Sequence, residues 1–167
     1  LAPLFVINGL YHMSIESLKG AEMSDINILV CDDDREIAGA IEIYLRNEGY
    51  NVFKAFDGVQ ALDIARGQEL HLIIMDVMMP NMDGIETLNI SKTLENNKCM
   101  DVPVIALTAN AIVGAKEMYI EAGFDDYLSK PVKSEALMDI IEKYISKSNK
   151  LRVSSAFFII LVPSSIK

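Results

Sequence analysis

The chain has 167 residues, 51% of them hydrophobic and 23% charged, enough for one domain with a sizeable buried core and too apolar for a wholly disordered chain. Its net charge is −9, and the charged residues from Lys147 onward (Lys147, Lys150, Arg152, Lys167) are all basic, so the body before them is more acidic still. Such a body argues against direct binding to nucleic acid, whose phosphate backbone attracts cationic surface.

Residues 1–24 show no clean period and are read as a poorly ordered extension, with Met23 a candidate natural start. Ile26–Cys31 is a short, almost wholly apolar run, as expected of a strand buried on both faces. The spacing of Ile37, Ile41, Tyr44 and Leu45 predicts a helix over 34–47, stopped by Gly49. A second strand is predicted over Tyr50–Lys54, then a helix burying Val59, Leu62 and Ala65, then a third strand over Leu70–Met75. Asp83 and Glu86 form a candidate capping box for the next helix. Val102–Leu107 is the fourth predicted strand, Ala111–Ala122 a helix closed by Gly123, and Asp126–Ser129 a short fifth strand. Leu137, Ile140, Ile141, Tyr144 and Ile145 mark the buried face of a closing helix that Ser134 is expected to cap. The domain is placed at 25–147, with 148–167 a tail of uncertain order around the apolar run Phe157–Val162.

Five strands alternating with five helices imply an α/β fold, a single doubly wound parallel sheet of flavodoxin-like (βα)5 type with expected strand order 2-1-3-4-5. The two cysteines make no disulfide framework: Cys31 reads as a small core residue and Cys99 as a loop thiol. Phe157–Val162 is far shorter than the roughly 20 residues that span a bilayer, and Leu4–Leu10 lacks the flanks of a signal peptide. The expectation is a cytoplasmic protein without a membrane span.

In doubly wound sheets, ligands bind beyond the carboxyl ends of the strands. Strand one is followed by Asp32-Asp33-Asp34, strand three by Asp76, strand four by Thr108, and strand five by Lys130-Pro131. Taken singly, each has a plain structural explanation: a helix cap, a turn aspartate, a β-branched strand residue, a surface amine. Those explanations do not account for a reactive group after four of five strands. Crowded carboxylates call for a cation, and hard oxygens suit Mg²⁺ or Mn²⁺. A carboxylate can also be a phosphoryl acceptor, given an ammonium and a hydroxyl to take the phosphoryl charge.

The blocks Ile-Leu-Val-Cys-Asp32-Asp33-Asp34, Ile-Ile-Met-Asp76-Val-Met-Met-Pro80-Asn-Met-Asp83-Gly84, Ile-Ala-Leu-Thr108-Ala109 and Asp-Tyr127-Leu-Ser-Lys130-Pro131 resemble, in order, the signature blocks of response-regulator receiver domains (the CheY-like superfamily). The resemblance implies a phosphorelay switch with Asp76 as phosphoacceptor. It implies Mg²⁺ or Mn²⁺ held by Asp32, Asp33, Asp76 and the Met78 backbone carbonyl, with Asp34 offering an alternative register for the acidic pair. Thr108 and Lys130 match the family's hydroxyl and lysine, and Tyr127 its switch aromatic. The implied partners are a histidine kinase or histidine phosphotransfer protein and a downstream protein target reached through the face of the fourth helix, fifth strand and fifth helix. The resemblance leaves room for a phosphorylation-dependent homodimer. A conventional enzyme is not expected, only Mg²⁺-dependent self-phosphorylation from a donor and self-dephosphorylation.

The stretch up to Met82 resembles receivers of transcriptional regulators, and Ile105–Val132 resembles receivers attached to hybrid sensor kinases. A joint near Pro80–Gly84 would account for the mixture. Among rival readings, a phosphatase of the haloacid dehalogenase type needs an aspartate two residues after its nucleophile, where this chain has Met78. A flavin carrier on the same fold needs a phosphate loop where this chain has three aspartates. A degenerate, unphosphorylated receiver would not need all these side chains.

Overall fold

Five short parallel strands form one sheet in the order β2-β1-β3-β4-β5 in the computed structural model, which describes residues 25–93, 101–109 and 115–145. In chain order the elements are β1 (Asn27–Cys31), α1 (Arg35–Asn47), β2 (Asn51–Ala55), α2 (Gly58–Gly67), β3 (Leu72–Asp76), α3 (Gly84–Thr93), β4 (Val104–Thr108), α4 (Ala115–Glu121) and β5 (Asp126–Ser129). A last helix, α5, follows over 134–145. The flavodoxin-like (βα)5 expectation holds, including the strand order. Both tails, Cys99 and the start of the predicted 111–122 helix lie outside the described residues.

The two faces of the sheet are separated by the alternation of side chains along each strand. Leu29, Cys31, Ile73, Met75, Val104 and Ala106 join one core with residues of α2, α3 and α4, among them Ala61, Leu88 and Tyr119. Ile28, Val30, Leu72, Ile74, Ile105 and Leu107 join the other with residues of α1 and α5, among them Ile41, Leu45, Leu137 and Ile141. Every residue of β3 and β4 is buried, which is why these strands read as unbroken apolar runs. Each fully buried Leu or Ile contributes about 1.5–3 kcal/mol of burial free energy.

Several boundaries differ from the sequence reading, and most move in one direction. β2, β3 and β4 each end one residue later than predicted, so Asp76 and Thr108 are the last residues of their strands rather than the first of the loops. Strand pairing continues to these positions, with Asp76 opposite Leu107 and Thr108 opposite Ser129, and Val77 N–H still donates to the Leu107 carbonyl at 3.0 Å. Val59 was expected in the core but is 55% exposed. The buried face of α2 is Gly58, Ala61, Leu62 and Ala65, because Gly58 sits against the Thr87 side chain of α3 and turns Val59 outward. Ser134 does not cap α5. Leu137 N–H donates to the Lys133 carbonyl at 3.0 Å, which puts Lys133 at the cap and Ser134 in the first turn. The predicted stops are as expected, with Gly49 (φ 92°) and Gly123 (φ 100°) both left-handed after α1 and α4.

Candidate functional site

Asp32 lies directly behind β1 and is 0% exposed. Its N–H donates to the Ala55 carbonyl at 3.1 Å, which ties it to β2, and its Oδ1 accepts from Asp34 N–H at 2.9 Å. Asp33 is exposed on the rim. Asp34 turns the other way and caps α1, accepting from Glu36 N–H at 2.9 Å and Ile37 N–H at 3.3 Å. The alternative register of the acidic pair is thereby used for helix capping. Asp83 is likewise a cap, accepting from Glu86 N–H at 2.7 Å at the start of α3.

Asp76 is 4% exposed at the end of the central strand, and its Oδ1 accepts from Met78 N–H at 3.1 Å. Carboxylate oxygens of Asp32, Asp33 and Asp76 lie within 4.8 Å of one another. Lys130, carried in by the end of β5, places its Nζ 2.7 Å from Asp32 Oδ2 and 2.8 Å from Asp76 Oδ2. Its backbone N–H donates to the Thr108 carbonyl at 2.7 Å, and the Lys130–Pro131 peptide bond is cis. The structure therefore brings Asp32, Asp33, Asp76, Lys130 and the Met78 backbone to one rim.

Burial holds the Asp32 carboxyl above its ordinary range, although Lys130 and the Asp34 N–H pull the other way. Burial also works against the Lys130 ammonium, but its contacts with Asp32 and Asp76 outweigh that and raise its pKa. The Asp32 shift is chiefly the cost of burying a carboxylate, and the Lys130 shift is the effect of two carboxylates on one ammonium. The contact between Lys130 and Asp32 has ion-pair distance without hydrogen-bond alignment, so buried Asp32 Oδ2 has no hydrogen-bond donor among the described residues. An under-satisfied buried carboxylate oxygen beside two further carboxylates fits a hard divalent cation.

Thr108 is 1% exposed, and its Oγ1 lies 2.7 Å from the Tyr119 hydroxyl. Tyr127 is half-buried, with its ring centroid 6.3 Å from that of Tyr119. Tyr119 was not singled out from the sequence. Its only signal there is the helical spacing from Ala115, which places both on the buried face of α4. Also unanticipated is the pairing of Asp126 with α5: Lys143 Nζ lies 2.5 Å from Asp126 Oδ2. Asp126 opens the fifth strand as predicted, and Asp125 stands just before it. Asp125 bridges strands, accepting from Val104 N–H at 2.8 Å, whereas Asp126 is a strand residue that anchors the last helix.

Cys31 is an inert core thiol. Burial first, then the carboxylates around it, push it up to about 12, and its Sγ contacts Met79 Sδ at 3.4 Å. Beside the site, a groove of about 670 Å³ runs between α1 and the start of α5, lined by Ile37, Ile41, Tyr44, Lys130, Pro131 and Leu137 among others. Among the described residues, no helix is long and apolar enough to cross a membrane.

The fold is thus a doubly wound sheet with acidic residues, a hydroxyl and a lysine at its carboxyl rim, the place where such sheets bind ligands. The profile of the response regulator receiver domain matches residues 28–142, and the chain belongs to that family, the phosphoacceptor domains of two-component signalling. The chain is 33% identical over 145 residues to a hybrid signal transduction histidine kinase of Dictyostelium discoideum, a match covering 84% of this chain and 8% of that protein. Among solved structures, it resembles the receiver domain of a Francisella response regulator at 32% identity and TM-score 0.66, covering 74% of this chain and 98% of that one. It resembles at 37% identity and TM-score 0.65 the receiver domain of a Pseudomonas aeruginosa sensor histidine kinase, solved with a magnesium ion in its active-site cleft, covering 72% and 98%. A third likeness, at 27% identity and TM-score 0.66 and covering 74% and 91%, is to a Saccharomyces cerevisiae response-regulator receiver crystallised with a histidine phosphotransfer protein.

Proposed function

We propose that this domain is a phosphorelay switch that takes a phosphoryl group on Asp76. The observation that carries the reading is the convergence of Asp32, Asp33 and Asp76 within 4.8 Å, with Lys130 bridging Asp32 and Asp76. A carboxylate oxygen of Asp76 attacks the donor phosphorus, the bond from phosphorus to the donor breaks, and the leaving group departs with its electron pair. Lys130 and the Thr108 hydroxyl take charge on the phosphoryl oxygens. Asp32, Asp33, Asp76 and the Met78 backbone carbonyl would hold Mg²⁺ or Mn²⁺, which neutralises phosphoryl charge when bound. Water reaching the acyl phosphate reverses the modification, so the domain acts on itself and is not a conventional enzyme.

The donor in this reading is a histidine kinase or a histidine phosphotransfer protein in the cytoplasm. The likeness to a receiver crystallised with such a protein supports it. The output is a change in the α4–β5–α5 face, to which Tyr127 belongs, read by a downstream protein. The test is intact mass after incubation with acetyl phosphate and Mg²⁺, with and without hydroxylamine, on wild type and Asp76→Asn. Wild type should gain one hydroxylamine-labile phosphoryl group and the variant none. Equal labelling of the variant would move the site elsewhere, and no labelling of either would favour a degenerate receiver.

A further inference from the structure

Side chains at alternate positions of β4 face opposite cores, and Thr108 shares its side with Val104 and Ala106, the side covered by α4. Tyr119 fills that space at 3% exposure, its ring edge-on to Phe124 (centroids 6.3 Å, 85°) and tilted against Tyr127 (6.3 Å, 35°). Its hydroxyl is 2.7 Å from Thr108 Oγ1. Resting on the phosphoacceptor reading above, we propose that Tyr119 is a positioning residue: it holds the Thr108 hydroxyl in the unphosphorylated protein and gives it up when Asp76 carries a phosphoryl group.

A threonine hydroxyl has one proton and rotates about a single bond, so its direction is set by the partners it finds. In the unphosphorylated protein one of those partners is a phenol on the α4 side of the sheet. A phosphoryl group on Asp76, one strand over, offers a charged acceptor, and charge-assisted hydrogen bonds are roughly twice as strong as neutral ones. Turning Thr108 toward it lengthens the bond to Tyr119. Tyr119 is packed against Tyr127, so the rearrangement reaches the α4–β5–α5 face through ring contact rather than through the backbone alone. The hydroxyl pair thus sets how readily Thr108 answers the phosphoryl group, and the ring carries the answer outward.

Tyr119→Phe keeps the ring and removes the hydroxyl. It takes a partner from a buried hydroxyl in the resting state only, because the phosphoryl oxygens supply one in the activated state. The variant should therefore bind beryllofluoride with Mg²⁺ about tenfold more tightly than wild type, which is about 1.4 kcal/mol. In a Thr108→Ala background the same substitution should change the affinity little, because the coupling has been removed. In the intact wild-type chain, the Tyr119 ring carbon bearing the hydroxyl should shift in the NMR spectrum when beryllofluoride is added. A thermal midpoint recorded for each variant separates loss of stability from loss of coupling. Affinity unchanged or weaker in Tyr119→Phe, or a Tyr119 signal that does not move while wild type binds the probe, would overturn the inference. Failure of wild type itself to bind beryllofluoride would instead sink the phosphoacceptor reading, and this inference with it.

Discussion

Lys130 Nζ lies 2.8 Å from Asp76 Oδ2, although 54 residues of chain separate the two. The same ammonium also lies 2.7 Å from Asp32 Oδ2, so it touches two of the three carboxylates that would hold a divalent cation. On the proposed reading, ammonium and divalent cation would compete for the same oxygens, and both would take charge on the phosphoryl group.

Lys130→Met should consequently separate metal binding from chemistry. Removing one positive charge beside Asp32 and Asp76 should tighten Mg²⁺ binding by about tenfold, on an effective dielectric near that of a protein surface. Phosphorylation from acetyl phosphate should slow by about a hundredfold, because one source of charge neutralisation is lost. Mg²⁺ titration followed by amide NMR shifts and a time course by intact mass measure the two effects. A variant that binds Mg²⁺ less well would show that the ammonium does not compete with the ion.

Asp33 is the exposed member of the cluster, so its removal should affect binding far more than folding. Asp33→Ala should lower Mg²⁺ affinity by about tenfold or more. Its stability should stay within about 0.5 kcal/mol of wild type, as expected of an exposed site. Urea unfolding alongside the same NMR titration checks both. A large loss of stability would mean that Asp33 has a structural role that its exposure does not suggest.

Gly84 is where the loop after β3 closes back on the site. A Cβ there would overlap the Asp76 carbonyl oxygen and come within 3.0 Å of Val77 Cα, backbone that cannot give way locally. Gly84→Ala should cost about 1–3 kcal/mol and slow labelling of Asp76 by displacing its strand end. Gly39, inside α1, is the control: a Cβ there meets nothing within 4 Å. Gly39→Ala should stabilise the protein by about 0.5–1 kcal/mol through helix propensity, with labelling unchanged. Chemical denaturation of the pair decides the matter, and equal effects of the two substitutions would refute the packing argument.

Asp126 gives the stability a predictable pH dependence. Burial works against its carboxylate, but hydrogen bonds from Lys143 and from Tyr127 N–H outweigh that, and its pKa is lowered. A carboxyl depressed in the folded state stabilises above its unfolded pKa of about 4, and that contribution is lost as pH falls through the folded value. The midpoint difference between wild type and Asp126→Asn should therefore be largest near neutrality and shrink below about pH 4. Thermal melts across that range test it, and a difference constant from about pH 6 to about pH 3 would falsify the linkage.

Much of this protein was legible from periodicity alone. Unbroken apolar runs such as Leu72–Met75 marked strands buried on both faces, and the alternation of strand with helix limited the sheet to few topologies. The positions of Asp32, Asp33, Asp76, Thr108 and Lys130 were legible because a strand end is a local feature: the apolar run stops and a polar side chain follows. What local pattern could not decide was where those side chains point and what they meet. Asp34 caps α1 while Asp32, two residues earlier, is buried in the cluster, and the difference lies in backbone direction, not composition. Val59 is apolar yet exposed because Gly58 packs against Thr87, a contact between residues far apart in the chain. The Thr108–Tyr119 and Lys143–Asp126 pairs exist only because β4, α4, β5 and α5 stack as they do. Sequence determines elements through interactions a few residues long, whereas partners for buried hydroxyls and charges are chosen when the sheet closes and water is excluded.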